Sequence, residues 1–272
     1  MRRWHHEVSA EWLQARQSVL TATDVAGLLP EYKRYLKAGS PDKPTPGFAA
    51  LWCNKNSKRH LDTESVNAAA RGHVIEPYAV DDWNMQHNVH FYHWDDAIVV
   101  DKTGKLGFSP DAMSIMQVHG SARYQMTDDG ERFFDDQAKI LDYIPYPAEV
   151  MEIKCYEPAQ HMKAILKDKM EHDELMQLAM AFVVMPKLEV ARLTWYCPGA
   201  PIPMFSQHYL RDDLHDQERW IMEIAEVYYD KVDPAMRRAV QQGKWMRTFH
   251  DEDEIWGEHM AELQGSDMFV FK

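Results

Sequence analysis

The sequence predicts an α/β fold in which a mixed central sheet is flanked by helices. Two observations carry that expectation. Stretches with apolar residues at helical spacing alternate with short runs rich in β-branched and aromatic residues, and no linker separates them. The composition, 45% hydrophobic and 27% charged, is that of an ordinary globular chain, and 272 residues suffice to bury one large core. No internal repeat or low-complexity tract interrupts the pattern. Residues 1–242 therefore read as one domain and the weakly patterned 243–272 as a C-terminal appendage.

Taken in order, residues 9–17 start a helix with Ser9 as its N-cap. A second helix starts at Thr21 or Thr23. Residues 39–47, rich in Pro and Gly, form a loop. Residues 61–84 read as a helix carrying Glu76, with Val66, Ala69, Ala70, Ile75, Ala79 and Val80 as its apolar positions and Pro77 as a tolerated break. Residues 89–100 read as a strand, followed by a turn at 101–104. A second strand, 106–116, is interrupted at Ser109-Pro110, and a third runs over 149–155. Residues 162–184 are helical. Residues 189–197 alternate Val190, Leu193 and Trp195 against polar neighbours, as a strand does. Residues 212–242 form one long amphipathic helix with Trp220, Ile221, Ile224, Ala225, Tyr228 and Val232 facing inward. Trp52 and Cys53 are expected in the core. The tail aromatics Trp245, Phe249, Trp256, Phe269 and Phe271 are expected to pack on their own domain.

Charge and cysteine content narrow the function classes. A net charge of −13 argues against a protein that coats DNA nonspecifically, because that affinity comes from Lys and Arg on phosphates. It leaves room for an enzyme whose basic groups are gathered in one groove. The acidic runs at 128–129, 135–136, 212–213 and 251–254 read as solvated faces. Cys53, Cys155 and Cys197 are odd in number and form no CxxC pair, which disfavours a zinc finger, an iron–sulfur site or a disulfide framework. Met1-Arg2-Arg3 leads into Trp4-His5-His6-Glu7, not into an apolar run, so no secretory signal is expected. The longest clean apolar run, residues 178–185, is far short of the ~20 residues of a membrane helix. The expectation is a reduced, cytoplasmic protein without a membrane partner.

Three short stretches carry the chemistry: Gly107-Phe108-Ser109-Pro110-Asp111, Met151-Glu152-Ile153-Lys154, and Gly72-His73-Val74-Ile75-Glu76. In a strand, Glu152 and Lys154 point to one face, about 7 Å apart by the ~3.3 Å rise per residue, and Ile153 points to the core. A strand ending in Ser-Pro-Asp would bring Asp111 beside them, and Glu76 on its helix could complete an acidic cluster. Carboxylate oxygens hold hard divalent cations against a scissile phosphate. A nearby Lys orients the attacking water and offsets developing charge. Each motif alone reads equally well as an amphipathic strand or a helix-surface Glu; the order of all three is what points to a nuclease of the PD-(D/E)xK kind, with a restriction-endonuclease-like core.

Six elements in order make the resemblance specific. Trp12 and Arg16 form a W-x-x-x-R element, and Thr21-Ala22-Thr23-Asp24 follows. Then come Gly72 to Glu76, Ser109-Pro110-Asp111-Ala112, Glu152-Ile153-Lys154-Cys155-Tyr156, and a Gln-bearing helix around Gln177. Over residues 9–240 the chain resembles the lambda exonuclease and YqaJ family of viral recombination nucleases. The resemblance implies that Asp111, Glu152 and the main-chain carbonyl of Ile153 hold Mg²⁺, with Mn²⁺ able to substitute. It implies that Lys154 positions the water and that Glu76 and Gln177 line the same site, Glu76 serving a second cation. Arg16 and Thr23 match positions that bind a 5′-terminal phosphate, and Ser109 falls in the same DNA-binding group. It further implies a 5′-to-3′ exonuclease on linear double-stranded DNA, a ring-shaped homotrimer, and a single-strand annealing protein as partner.

The chain departs from the family pattern at Ala112 for Gly, Tyr156 for Pro and Thr23 for Ser. Its longer stretch between Asp111 and Glu152 makes residues 117–147 read as an insertion. Two other functions stay open on the sequence: an endonuclease of the same fold, and a non-catalytic scaffold that binds DNA ends. His87, His90 and His93 are spaced by three, but as one strand only 87 and 93 would share a face, so packing or surface roles are expected.

Overall fold

The computed structural model describes residues 10–39, 44–56, 66–87, 91–93, 98–114, 123–127, 130–134, 140–144, 149–167 and 172–242. The helices in the first third are α1 (Ala10–Ser18), α2 (Ala22–Lys37), α3 (Pro46–Asn56) and α4 (Val66–Gln86), with the short strand β1 (Leu20–Thr21) before α2. The middle third is mostly strand: β2 (Tyr92–His93), β3 (Ile98–Val100), β4 (Leu106–Phe108), β5 (Ala112–Met113), β6 (Arg123–Thr127), β7 (Gly130–Phe134), β8 (Ile140–Ile144) and β9 (Glu149–Lys154). Then follow α5 (Pro158–Leu166), α6 (His172–Val184), β10 (Val190–Tyr196), β11 (Met204–Leu210), α7 (His215–Glu226) and α8 (Asp233–Gln241).

The strands form two mixed sheets where the sequence led us to expect one. The first has the order β1-β4-β3-β6-β7-β8 and the second β11-β10-β9-β5-β2. The chain crosses between them at Ser109-Pro110-Asp111, so the stretch read as one interrupted strand is β4 of one sheet and β5 of the other. Pro110 has no amide to donate to a ladder, which suits it to that corner. The expected strand 89–100 divides likewise, with β2 in the second sheet and β3 in the first. Segment 117–147 supplies β6, β7 and β8, which extend the first sheet outward from β3.

The second sheet carries the site and is covered on both faces. Strand β9 shows the alternation. Val150 belongs to the core beneath α6, whereas Met151 and Ile153 pack with Ala79, Val80 and Trp83 of α4. Glu152 and Lys154 therefore face the α6 side, as their spacing required. Helices α2, α6 and α7 pack against one another, and α6 also lies on β4, β9 and β10. Arg192 of β10 pairs with Glu149 at 2.9 Å and lies 4.7 Å from the centre of the Trp83 ring, tying β10 to α4.

The helical expectations need two corrections. Residues 162–184 are not one helix: Pro158 opens α5 earlier than expected, and α5 ends at Lys167, whose backbone is extended at φ −81°, ψ 125°. Residues 212–242 are segmented, with a 3₁₀ turn over Arg211–Leu214 and a π-helical turn over Val227–Val232 between α7 and α8. Of the six expected inward positions, Ile221, Ile224, Ala225, Tyr228 and Val232 are buried, whereas Trp220 is only partly buried against the core. Trp52 is in the core and donates from Nε1 to Asp233 Oδ1 at 2.7 Å. Its neighbour Cys53 is exposed, contrary to expectation, because it lies on the outer side of α3. No helix among the described residues is long and apolar enough to cross a membrane. The tail aromatics lie outside the described residues.

Candidate active site

Four elements bring the predicted residues together. β9 presents Glu152 and Lys154 on one face, and α6 brings Gln177 to them. The Lys154 ammonium donates to Glu152 Oε1 at 2.8 Å and to Gln177 Oε1 at 2.7 Å. The sheet-crossing corner delivers Asp111, whose Oδ2 accepts from the Ile153 amide at 2.6 Å. That bond locks Asp111 to the strand bearing Glu152. Gly107, just upstream, owes its place to crowding: a Cβ there would sit 2.6 Å from Val19 Cγ2 and 2.9 Å from Ile98 Cδ1.

The electrostatics are those of an acidic cluster. Burial, and then the charges of Glu152 and Glu76, push the Asp111 carboxyl well above the usual carboxylate range, against the pull of Lys154 and the Ile153 amide. Burial alone would lower the Lys154 ammonium, but Glu152 and Asp111 outweigh it and raise it above its ordinary value. The same two carboxylates thus favour the charged form of Lys154.

Glu76 enters from α4. Its Oε2 lies 3.3 Å from His73 Nδ1 and 3.8 Å from His93 Nε2. Burial works to raise this carboxyl, yet the two imidazoles prevail and hold it below its ordinary value. Gly72 explains the G-x-x-x-E spacing physically. One turn ahead of Glu76, any Cβ at 72 would stand 3.1 Å from Glu76 Oε1.

Arg16, in the last turn of α1, lies over the Trp12 ring at 4.5 Å. Trp12 in turn donates to Ser109 Oγ at 3.1 Å. Burial lowers the Arg16 guanidinium, and Asp24, Glu152 and Asp111 pull it back, which places Arg16 beside the acidic cluster. Lys55 of α3 stands next to it, donating to the Arg16 carbonyl at 2.8 Å and pairing with Asp24 at 2.6 Å. Thr21, not Thr23, caps α2: its hydroxyl oxygen accepts from the Asp24 amide at 3.4 Å, and its own amide donates to Asp24 Oδ2 at 2.8 Å. Thr23 is exposed in the first turn of α2.

Sequence reasoning did not single out Lys55 or His73, and it gave His93 a packing or surface role, whereas His93 stands against Glu76. The His triplet does not behave as one strand. His87 follows the end of α4 and stacks on Trp83 at 3.7 Å, His93 faces Glu76 from β2, and His90 lies outside the described residues. His73 carried a readable signal, since i and i+3 on a helix are neighbours. Lys55 carried none.

The donor set fits a hard divalent cation. Asp111, Glu152, Glu76 and the Ile153 carbonyl offer only oxygen, and Glu152 and Glu76 stand near enough to Asp111 to add to the burial that raises its carboxyl. No three His, Cys, Asp or Glu side chains among the described residues stand together as a ready-made cage.

No family profile matches the chain, and no curated protein matches it. Solved structures do. The alkaline exonuclease LHK-Exo from Laribacter hongkongensis aligns with a TM-score of 0.55 at 16% identity, over 86% of this chain and all of that one. This chain has the fold of that exonuclease. The same enzyme in complex with dAMP aligns with a TM-score of 0.57 at 17% identity, over the same shares of the two chains. The exonuclease fold agrees with the PD-(D/E)xK-like core expected from the motifs, with mixed sheets between helices.

Proposed function

We propose that this protein is a metal-dependent DNA exonuclease that degrades linear duplex ends from 5′ to 3′ and leaves a 3′ single strand. The observation that carries the reading is the convergence of Asp111, Glu152, Lys154 and Gln177 in one site, with Lys154 bridging Glu152 and Gln177. The likeness to an alkaline exonuclease supports it. Polarity, Mg²⁺ preference and a role in annealing-based recombination rest on the resemblance of the motifs.

Each residue has a distinct task. Asp111, Glu152, Glu76 and the Ile153 carbonyl would hold the cations, Mg²⁺ or Mn²⁺, two per site. Cations bound there would lower the pKa of water and neutralise charge on the phosphate. Lys154 positions the attacking water and stabilises charge on the phosphoryl oxygens. Gln177 fixes the Lys154 rotamer. Arg16 grips the 5′-terminal phosphate through its planar fork, with Ser109 and Thr23 as further polar contacts to the strand. Residues 117–147, an insertion on this reading, and the appendage 243–272 have no assigned task.

The test is digestion of linear duplex DNA, with a 5′ phosphate or a 5′ hydroxyl, beside closed circular plasmid, in Mg²⁺ or EDTA. Loss of the linear phosphorylated DNA alone, in Mg²⁺ alone, is the expected result. In the Arg16→Ala variant the preference for the phosphorylated end should disappear. Cutting of the circle would make the protein an endonuclease of this fold, and no cutting at all would leave a DNA-end-binding scaffold.

A further inference from the structure

Glu76 is held by two histidines from different elements, and neither has a role in the chemistry above. His73 stands one helical turn before Glu76 on α4. His93 comes from β2, whose register places it opposite Ala112, the residue after Asp111. Both imidazoles approach the same oxygen, Oε2. The other oxygen, Oε1, lies over Gly72, where the missing side chain leaves room for it. The three side chains differ in exposure: Glu76 is 10% exposed, His93 14% and His73 30%. A buried carboxylate with one oxygen occupied and the other free of crowding has its orientation decided by its neighbours.

We propose that His73 and His93 are positioning residues for Glu76, clamping Oε2 so that the carboxylate is presented to a second divalent cation beside Asp111. This rests on the metal-dependent reading given above. The two imidazoles come from different elements. His73 is fixed by the helix that carries Glu76. His93 is fixed by the β2–β5 pairing, which ties it to the backbone next to Asp111. The clamp therefore couples the position of Glu76 on α4 to the position of Asp111 on the sheet. At 3.3 Å the His73 contact is a hydrogen bond; at 3.8 Å the His93 contact is an ion-pair distance that needs a small movement to close. Groups that orient a metal-binding side chain from outside typically govern its affinity about 10- to 100-fold.

The experiment is Mn²⁺ titration of the full chain, with free Mn²⁺ followed by electron paramagnetic resonance. It compares wild type, Glu76→Gln, His73→Ala, His93→Ala, and the donor-retaining His73→Asn and His93→Gln. Thermal melts in EDTA confirm that each variant is folded. The expected result is two binding events in wild type, with the weaker one lost in Glu76→Gln. That event should weaken about 10-fold or more in each alanine variant and recover substantially in His73→Asn and His93→Gln. Alanine variants that bind the second Mn²⁺ as wild type does, while Glu76→Gln loses it, would overturn the clamp and leave the two-cation reading standing. Wild type that binds no Mn²⁺ would overturn the metal-dependent reading and the clamp with it.

Discussion

Asp111 is a carboxylic acid that the fold makes expensive to ionise. Its folded value is raised by burial and by Glu152 and Glu76. The proton is thus bound more tightly in the folded chain than in the unfolded one. Stability is therefore greatest when Asp111 is protonated, and falls as pH rises through the ordinary carboxylate range toward the raised folded value. In the absence of metal, Asp111→Asn should remove that loss and raise stability at neutral pH by about 1 kcal/mol. The gain should shrink as pH falls toward ~4, and nuclease activity should vanish. A calorimetric melt of Asp111→Asn in EDTA at or below the wild-type temperature would contradict this account. Lys154 faces the opposite way, being stabilised as the cation by Glu152 and Asp111. Lys154→Ala should lower the cleavage rate about 10²- to 10³-fold while DNA binding persists; gel-shift and cleavage assays on one preparation would separate the two effects.

At the scale of elements, the site depends on where strands end. β4 leads directly through Ser109-Pro110 to Asp111, so anything that lifts β4 moves the Asp111 carboxylate. Gly107 is the vulnerable point, packed under Val19 and Ile98. Gly107→Ala should destabilise the fold by about 1–3 kcal/mol, the range of an overpacked core, and should reduce cleavage more than a distant change of equal stability cost. Urea unfolding together with the cleavage rate would show it; a neutral Gly107→Ala would mean that the Val19 and Ile98 side chains give way freely. The α3–α8 contact is of another kind. Trp52 reaches Asp233 across the helical layer at 2.7 Å, joining the segment that carries Lys55 to the C-terminal helices.

For the whole molecule, charge and assembly belong together. A chain with a net charge of −13 gains little from nonspecific attraction to DNA, and a closed ring would hold the duplex by topology instead. Cyclic assembly is physically ordinary for a chain of this size. Light scattering at micromolar concentration should then give a mass near three times the 31.8 kDa of one chain. A mass of one chain would remove the ring.

What the sequence determined by itself is what short-range geometry dictates. The two-residue repeat of a strand put Glu152 and Lys154 on one face and Ile153 in the core, and the structure has them so. Helical spacing likewise picked out Ile221, Ile224, Tyr228 and Val232 as buried. The alternation of helix and strand gave the α/β class, and the order of the motifs gave the exonuclease-like core. The tertiary structure decided the rest. It split two expected strands between two sheets, because pairing partners come from distant parts of the chain and local pattern does not encode them. It brought Lys55 to Arg16 across 39 residues. It turned His93 toward Glu76, which only the β2–β5 register could specify. Periodicity tells which face of an element is buried; only packing tells which residue stands on the other side.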